Sequence, residues 1–122
     1  MARVFLTGID ESVANCLGRM LAIANHQIEH RSSTAPIDDF LDADIVFAGG
    51  DARQYLPLLL GVRQALPALP FVVVTRTPET SEWLDALEAG ATDYCAAPIE
   101  SCQITWIMES ALQRRSMVTT AY

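Results

Sequence analysis

Three short apolar runs recur along the chain: Val4-Phe5-Leu6-Thr7, Ile45-Val46-Phe47-Ala48 and Phe71-Val72-Val73-Val74-Thr75. Each carries β-branched or aromatic residues and is short enough for a strand, and the first two are stopped by glycine. Between them the apolar positions change period. After Asp10-Glu11-Ser12, residues Val13, Leu17, Met20, Leu21 and Ala24 fall on one face at helical spacing, which predicts a helix to about Asn25. Its first turn sets acids and a capping side chain at the positive end of the helix dipole. Gln27 to Ser32 reads as a second strand. Ser33-Thr34-Ala35-Pro36 then introduces a short amphipathic helix with Ile37, Phe40 and Leu41.

Beyond the run at Ile45, residues Asp51 to Tyr55 read as a loop, because Pro57 is tolerated only in a first turn. The next helix is therefore expected from Leu56 to Leu66, with Pro67 and Pro70 punctuating its end. After Thr75, Thr77-Pro78-Glu79 opens a helix carrying Trp83, Leu84 and Leu87 that stops at Gly90. Asp93 to Ala96 is a fifth strand. A last helix is expected from Glu100 to Arg115, with arginines at its negative end. Buried strands alternating with helices predict the α/β class: a (βα)5 doubly wound parallel five-stranded sheet, order 2-1-3-4-5, with right-handed crossovers. Residues 1–115 form the expected domain, and 116–122 a tail or the start of a linker.

Composition narrows the function. At 122 residues and 51% hydrophobic content, one domain with its own core is expected and long disorder is excluded. The net charge is −7, all eight basic residues are arginine, and no basic run occurs, so nucleic-acid binding is not expected. Cys16, Cys95 and Cys102 are odd in number and lack metal-ligand spacing. With no signal peptide and no membrane-length apolar run, they read as reduced thiols in the cytoplasm. Cys95 is expected to serve as a small buried hydrophobe. His26 and His30 would stand about 13 Å apart along an extended strand, too far to share a metal ion. Neither a catalytic constellation, a cofactor nor a metal is expected. Thr7-Gly8 before a helix is similar to the start of a dinucleotide loop, but no G-x-G-x-x-G follows.

The ordered landmarks resemble a response-regulator receiver domain of the CheY-like superfamily over nearly the whole chain. Arg3 to Asp10 resembles the first receiver strand and the acidic pair that normally closes it. Ala43 to Gly49 resembles the third strand, normally ended by the phosphoaccepting aspartate. Phe71 to Ile99 resembles the strand ending in a hydroxyl residue, the Gly90-Ala91 turn, and the aromatic strand ending in Lys-Pro. By this resemblance the acidic pair falls on Gly8 and Ile9, the phosphoacceptor on Gly49 and the lysine on Ala97. Thr75 keeps the hydroxyl position, and Tyr94 the aromatic switch position.

Aspartyl phosphorylation needs a carboxylate nucleophile, a carboxylate-held divalent cation and a cationic side chain facing the phosphoryl group. Gly8, Ile9 and Gly49 offer no side-chain oxygen, and the chain has no lysine. The expectation is a phosphorylation-independent pseudo-receiver, a protein-interaction or dimerisation module of bacterial two-component-type signalling. The resemblance implies a docking surface made by the helix after the fourth strand, the fifth strand and the last helix. Its candidate residues are Trp83, Leu87, Tyr94 and Ile107, and its partner is a second copy, another protein or a fused output domain. Two alternatives remain open. One is a small-ligand or anion sensor using the cleft lined by Gly8, Gly49 and Gly50, with Arg53 and Arg76 on its rim. The other is a conventional receiver whose acceptor is displaced to Asp51 or Asp10, each of which reads more simply as a helix cap or loop residue.

Overall fold

The computed structural model describes residues 2–32, 35–76, 80–97 and 99–120, with residues 80 and 113–120 described through their backbone alone. The elements are β1 (Arg3–Thr7), α1 (Glu11–Ile23), β2 (Gln27–Arg31), a 3-10 helix (Ile37–Phe40), β3 (Ile45–Ala48) and α2 (Ala52–Ala65). They continue through β4 (Phe71–Thr75), α3 (Thr80–Glu88), β5 (Asp93–Ala96) and α4 (Ser101–Thr120). The five strands form one parallel sheet in the order β2-β1-β3-β4-β5. This is the predicted topology.

The apolar runs do not alternate because both faces of the central strands are covered. Val4, Leu6, Ile45, Phe47, Val72 and Val74 face one core, closed by Leu17 and Leu21 of α1 and Ile104, Ile107 and Met108 of α4. Phe5, Val46, Phe71 and Val73 point the other way, onto Phe40 of the 3-10 helix, Tyr55, Leu59 and Val62 of α2, and Ala86 of α3. Period-two side-chain alternation therefore feeds two cores from the same strands. Cys95 is buried on the first side, and burial pushes its thiol up to about 12.

Several boundaries differ from the sequence expectation. α2 starts at Ala52 rather than Leu56, so Asp51 is its N-cap and Pro57 lies inside the helix. Pro57 has no N–H to give the Arg53 carbonyl, and both residues lie on the exposed side of the helix. The short helix after β2 is a single 3-10 turn, and Ser33 and Thr34, its expected entry, lie outside the described residues. The expected start of α3 at Thr77 to Glu79 lies outside them as well. α4 continues through Thr120, past the expected end at Arg115, so the helix takes in most of the segment expected as a tail. Gly90 ends the chain reversal after α3 at φ 112°, a left-handed conformation suited to glycine.

Candidate functional site

The carboxyl ends of β1, β3 and β4 open onto a cleft of about 360 Å³ lined by Gly8, Ile9, Asp10, Val13, Gly50, Asp51, Val74, Thr75, Arg76 and Glu82. This is the position at which an open α/β sheet places its ligand or reaction site. Of the expected pocket residues, Gly8, Ile9 and Thr75 meet here. Ala97 lines a neighbouring hollow instead, one that shares Val13 and Arg76 with the cleft.

Gly49 is sealed beneath the cleft. Its N–H donates to the Thr7 carbonyl at 2.9 Å, which holds the end of β3 against β1. A Cβ at Gly49 would come within 2.9 Å of the Ile9 Cα, 3.0 Å of its Cγ1 and 3.1 Å of the Gly8 carbonyl oxygen. Two of those three atoms are backbone. Gly8 takes φ 64°, so the β1–α1 connection turns through a left-handed residue directly beside this contact. The loop thus occupies the volume that any side chain at residue 49 would need.

The two acids nearest Gly8, Ile9 and Gly49 in sequence are helix caps. Asp10 precedes α1 and its carboxylate accepts from the Ser12 N–H at 3.3 Å and the Ser12 hydroxyl at 2.6 Å. Those bonds, with the Arg76 guanidinium at 3.3 Å, hold the Asp10 carboxyl below its usual range. Asp51 accepts from the Gln54 N–H at 3.2 Å, and the Gln54 side chain accepts from the Asp51 N–H at 3.1 Å, completing a capping box. That Gln54 side chain lies over Gly50, where φ is 90° and an added Cβ would overlap Gln54 Oε1. The spacing Asp51-x-x-Gln54 was a legible signal for this cap; the weight given to Pro57 hid it.

Charge among the described residues of the cleft is mainly negative: Asp10, Asp51 and Glu82 line it against one cation, Arg76. Arg53 is not among the lining residues. Among the described residues, no three His, Cys, Asp or Glu side chains come together as metal ligands. His26 instead accepts the Ala2 N–H on Nδ1 at 3.0 Å, and burial lowers its affinity for a proton. Deeper on the α2 side, Tyr55 is 2% exposed and its hydroxyl has no partner among the described residues. Burial, then the neighbouring Tyr94, Glu82 and Asp85, pushes the Tyr55 hydroxyl up to about 12.

On α3, Trp83, Leu84 and Leu87 are 43%, 54% and 37% exposed, and Tyr94 of β5 is half-buried against the α2–α3 core. Ile107 corrects the expectation of an outward position. It is 3% exposed and packs with Ile104, Met108 and Ala111 in the core beneath α4. The reason is helical phase: 104, 107, 108 and 111 share the inward stripe, while Trp106, one residue back, is turned about 100° away. Trp106 is 60% exposed and was not singled out in the sequence.

No protein-family model matches this sequence, and no curated protein sequence matches it. Solved structures do. A response regulator receiver domain protein of Clostridium thermocellum superposes with a TM-score of 0.84 at 15% identity, over 97% of this chain and 99% of its own. A response regulator of Chloroflexus aurantiacus gives a TM-score of 0.80 at 22% identity, over 92% of this chain and 98% of its own. NtrX of Brucella abortus, in a complex with ADP, gives 0.85 at 19% identity, over 98% of this chain and only 28% of its own. The matched structures, the strand order and the cleft at the strand ends agree on one architecture: the chain has the CheY-like fold of response-regulator receiver domains.

Proposed function

We propose that this chain is a phosphorylation-independent receiver-like module that works through protein contacts in two-component-type signalling of bacteria. The observation that carries the reading is the packing of Ile9 and Gly8 over Gly49. It leaves no room for an acceptor side chain at the end of β3, and the flanking carboxylates are committed to capping α1 and α2. A lysine-free chain has no ammonium for the phosphoryl group. The architectural likeness to response regulators supports the signalling context. Exposed Trp83, Leu84 and Leu87 support the interaction role, because contiguous apolar surface is usually covered by a partner. The docking face in this reading runs over α3, β5 and the outer side of α4. It takes a second copy, another protein or a fused output domain, and the module acts in the cytoplasm.

An amide NMR titration with magnesium followed by beryllofluoride, a phosphoryl mimic, tests the first half. Gly8, Gly49, Thr75 and Tyr94 are expected to stay still. A saturable shift at these residues would make Asp10 or Asp51 a working acceptor and overturn the reading. Sedimentation tests the second half: a concentration-dependent dimer that Trp83→Glu abolishes is expected, and a chain that neither dimerises nor loses any partner on that substitution counts against it. The acidic lining of the main cleft works against an anion sensor at that site.

A further inference from the structure

Beside the main cleft, and sharing Val13 and Arg76 with it, lies a second hollow of about 390 Å³ lined by α1 residues together with Arg76, Ala97 and Ile99. Its volume falls in the range of about 300–1,000 Å³ typical of small-molecule sites. The walls differ from those of the cleft. Val13, Leu17, Ala97 and Ile99 are apolar, Ser12 and Cys16 sit at the α1 side, and Arg76 is the one charged residue among the described residues that line it. Leu17 and Ile99 are buried and form the floor, whereas Cys16 and Arg76 are exposed.

We propose that this hollow binds a small amphipathic carboxylate, with its apolar body against Val13, Leu17, Ala97 and Ile99 and its carboxylate on Arg76. Charge complementarity sets the polar end, since no acidic residue is among the described residues that line the hollow. The Asp10 contact does not exhaust Arg76: it runs from Nη1 at 3.3 Å, with both side chains substantially exposed. A guanidinium has five N–H donors in a planar fork, enough to hold a second carboxylate. An exposed pair of that length also contributes little and is readily shared. Neutral apolar molecules would leave the guanidinium edge unused, and amines would meet its charge.

Cys16 reports on occupancy, and Cys102, exposed on α4 and outside the hollow, is an internal control. The experiment follows alkylation of each thiol by iodoacetamide, resolved by peptide mass spectrometry, as sodium octanoate is added. Octanoate is expected to slow Cys16 saturably and leave Cys102 unchanged. Shorter homologues should protect less, by about fourfold per methylene removed, the ratio that corresponds to ~0.8 kcal/mol per buried CH₂. Octylamine and inorganic phosphate should not protect. Arg76→Gln should weaken octanoate at least tenfold, and Ala97→Leu, which fills the hollow, should abolish protection. Asp10→Asn keeps the cap, because asparagine caps as well as aspartate, and removes the competing charge, so it should tighten octanoate. Amide spectra of each variant establish that it is folded. Absence of saturable protection, equal protection by octylamine, or an Ala97→Leu protein that binds as before would each overturn the proposal.

Discussion

Two residues carry more of the structure than their types suggest. Gly49 is defined by what stands against it, namely the backbone of residues 8 and 9. Gly49→Asp is expected to destabilise the fold by about 1–3 kcal/mol through overpacking, read as a lower urea midpoint. It is also expected to gain no beryllofluoride response, because the carboxylate cannot reach the cleft through the loop. Arg63, at the end of α2, has no acidic partner in its described contacts, yet its guanidinium donates to the carbonyls of Gly90 at 2.7 Å and Leu69 at 2.6 Å. It also reaches Thr92 Oγ1 at 3.3 Å, which accepts the Phe71 N–H at 3.0 Å. One side chain thus ties the α2 terminus to the turns that precede β4 and β5. Burial makes its charge harder to keep, and the carbonyl dipoles offset that cost. Arg63→Met keeps the apolar stem but orphans those acceptors, and is expected to cost about 2–3 kcal/mol in the same unfolding measurement.

Among the elements, α2 gives the sharpest test. Pro57 lies within it, exposed, and its ring and missing N–H weaken a helix held at its start by the Asp51–Gln54 box. Pro57→Ala is expected to raise stability by about 1–3 kcal/mol, up to the helix-interior penalty of proline. An unchanged midpoint would mean that the proline also pre-forms the turn in the unfolded chain. The central strands were legible from sequence because doubly covered parallel strands are apolar runs, and β1, β3 and β4 fell where those runs lie. Helix ends were less legible. A general rule about proline displaced the local capping signal at Asp51, and the 3-10 turn at Ile37–Phe40 is too short for period to separate from a helix. On α4 the inward stripe of Ile104, Ile107, Met108 and Ala111 was present in the sequence. Placing Ile107 by family position, rather than by that phase, put it on the wrong side. That Gly8, Ile9 and Gly49 bring no side-chain oxygen to the ends of β1 and β3 was legible from their types alone. The closure over Gly49 was not, because it depends on a left-handed turn at Gly8 and a contact between two separate loops.

The whole molecule sets two tendencies against each other. It has two cores on opposite faces of one sheet, and it still leaves Trp83, Leu84, Leu87 and Trp106 exposed. It also carries a net charge of −7, so two copies repel before they touch. If the apolar face is covered by a second copy, added salt should strengthen the dimer, since the screening length shrinks from about 10 Å at 0.1 M to about 3 Å at 1 M. The expected result in sedimentation equilibrium is a dissociation constant that falls as sodium chloride rises. A constant that rises would identify ion pairs, rather than apolar contact, as what joins the copies.

Residue 49 and the β1–α1 turn form a matched pair drawn from two separate loops. A carboxylate at residue 49 would fit only if the turn at Gly8 and Ile9 withdrew at the same time. A single substitution there meets a folding defect before it can gain any chemistry. Two concerted changes, in loops far apart along the chain, separate this protein from one with an acid at that position.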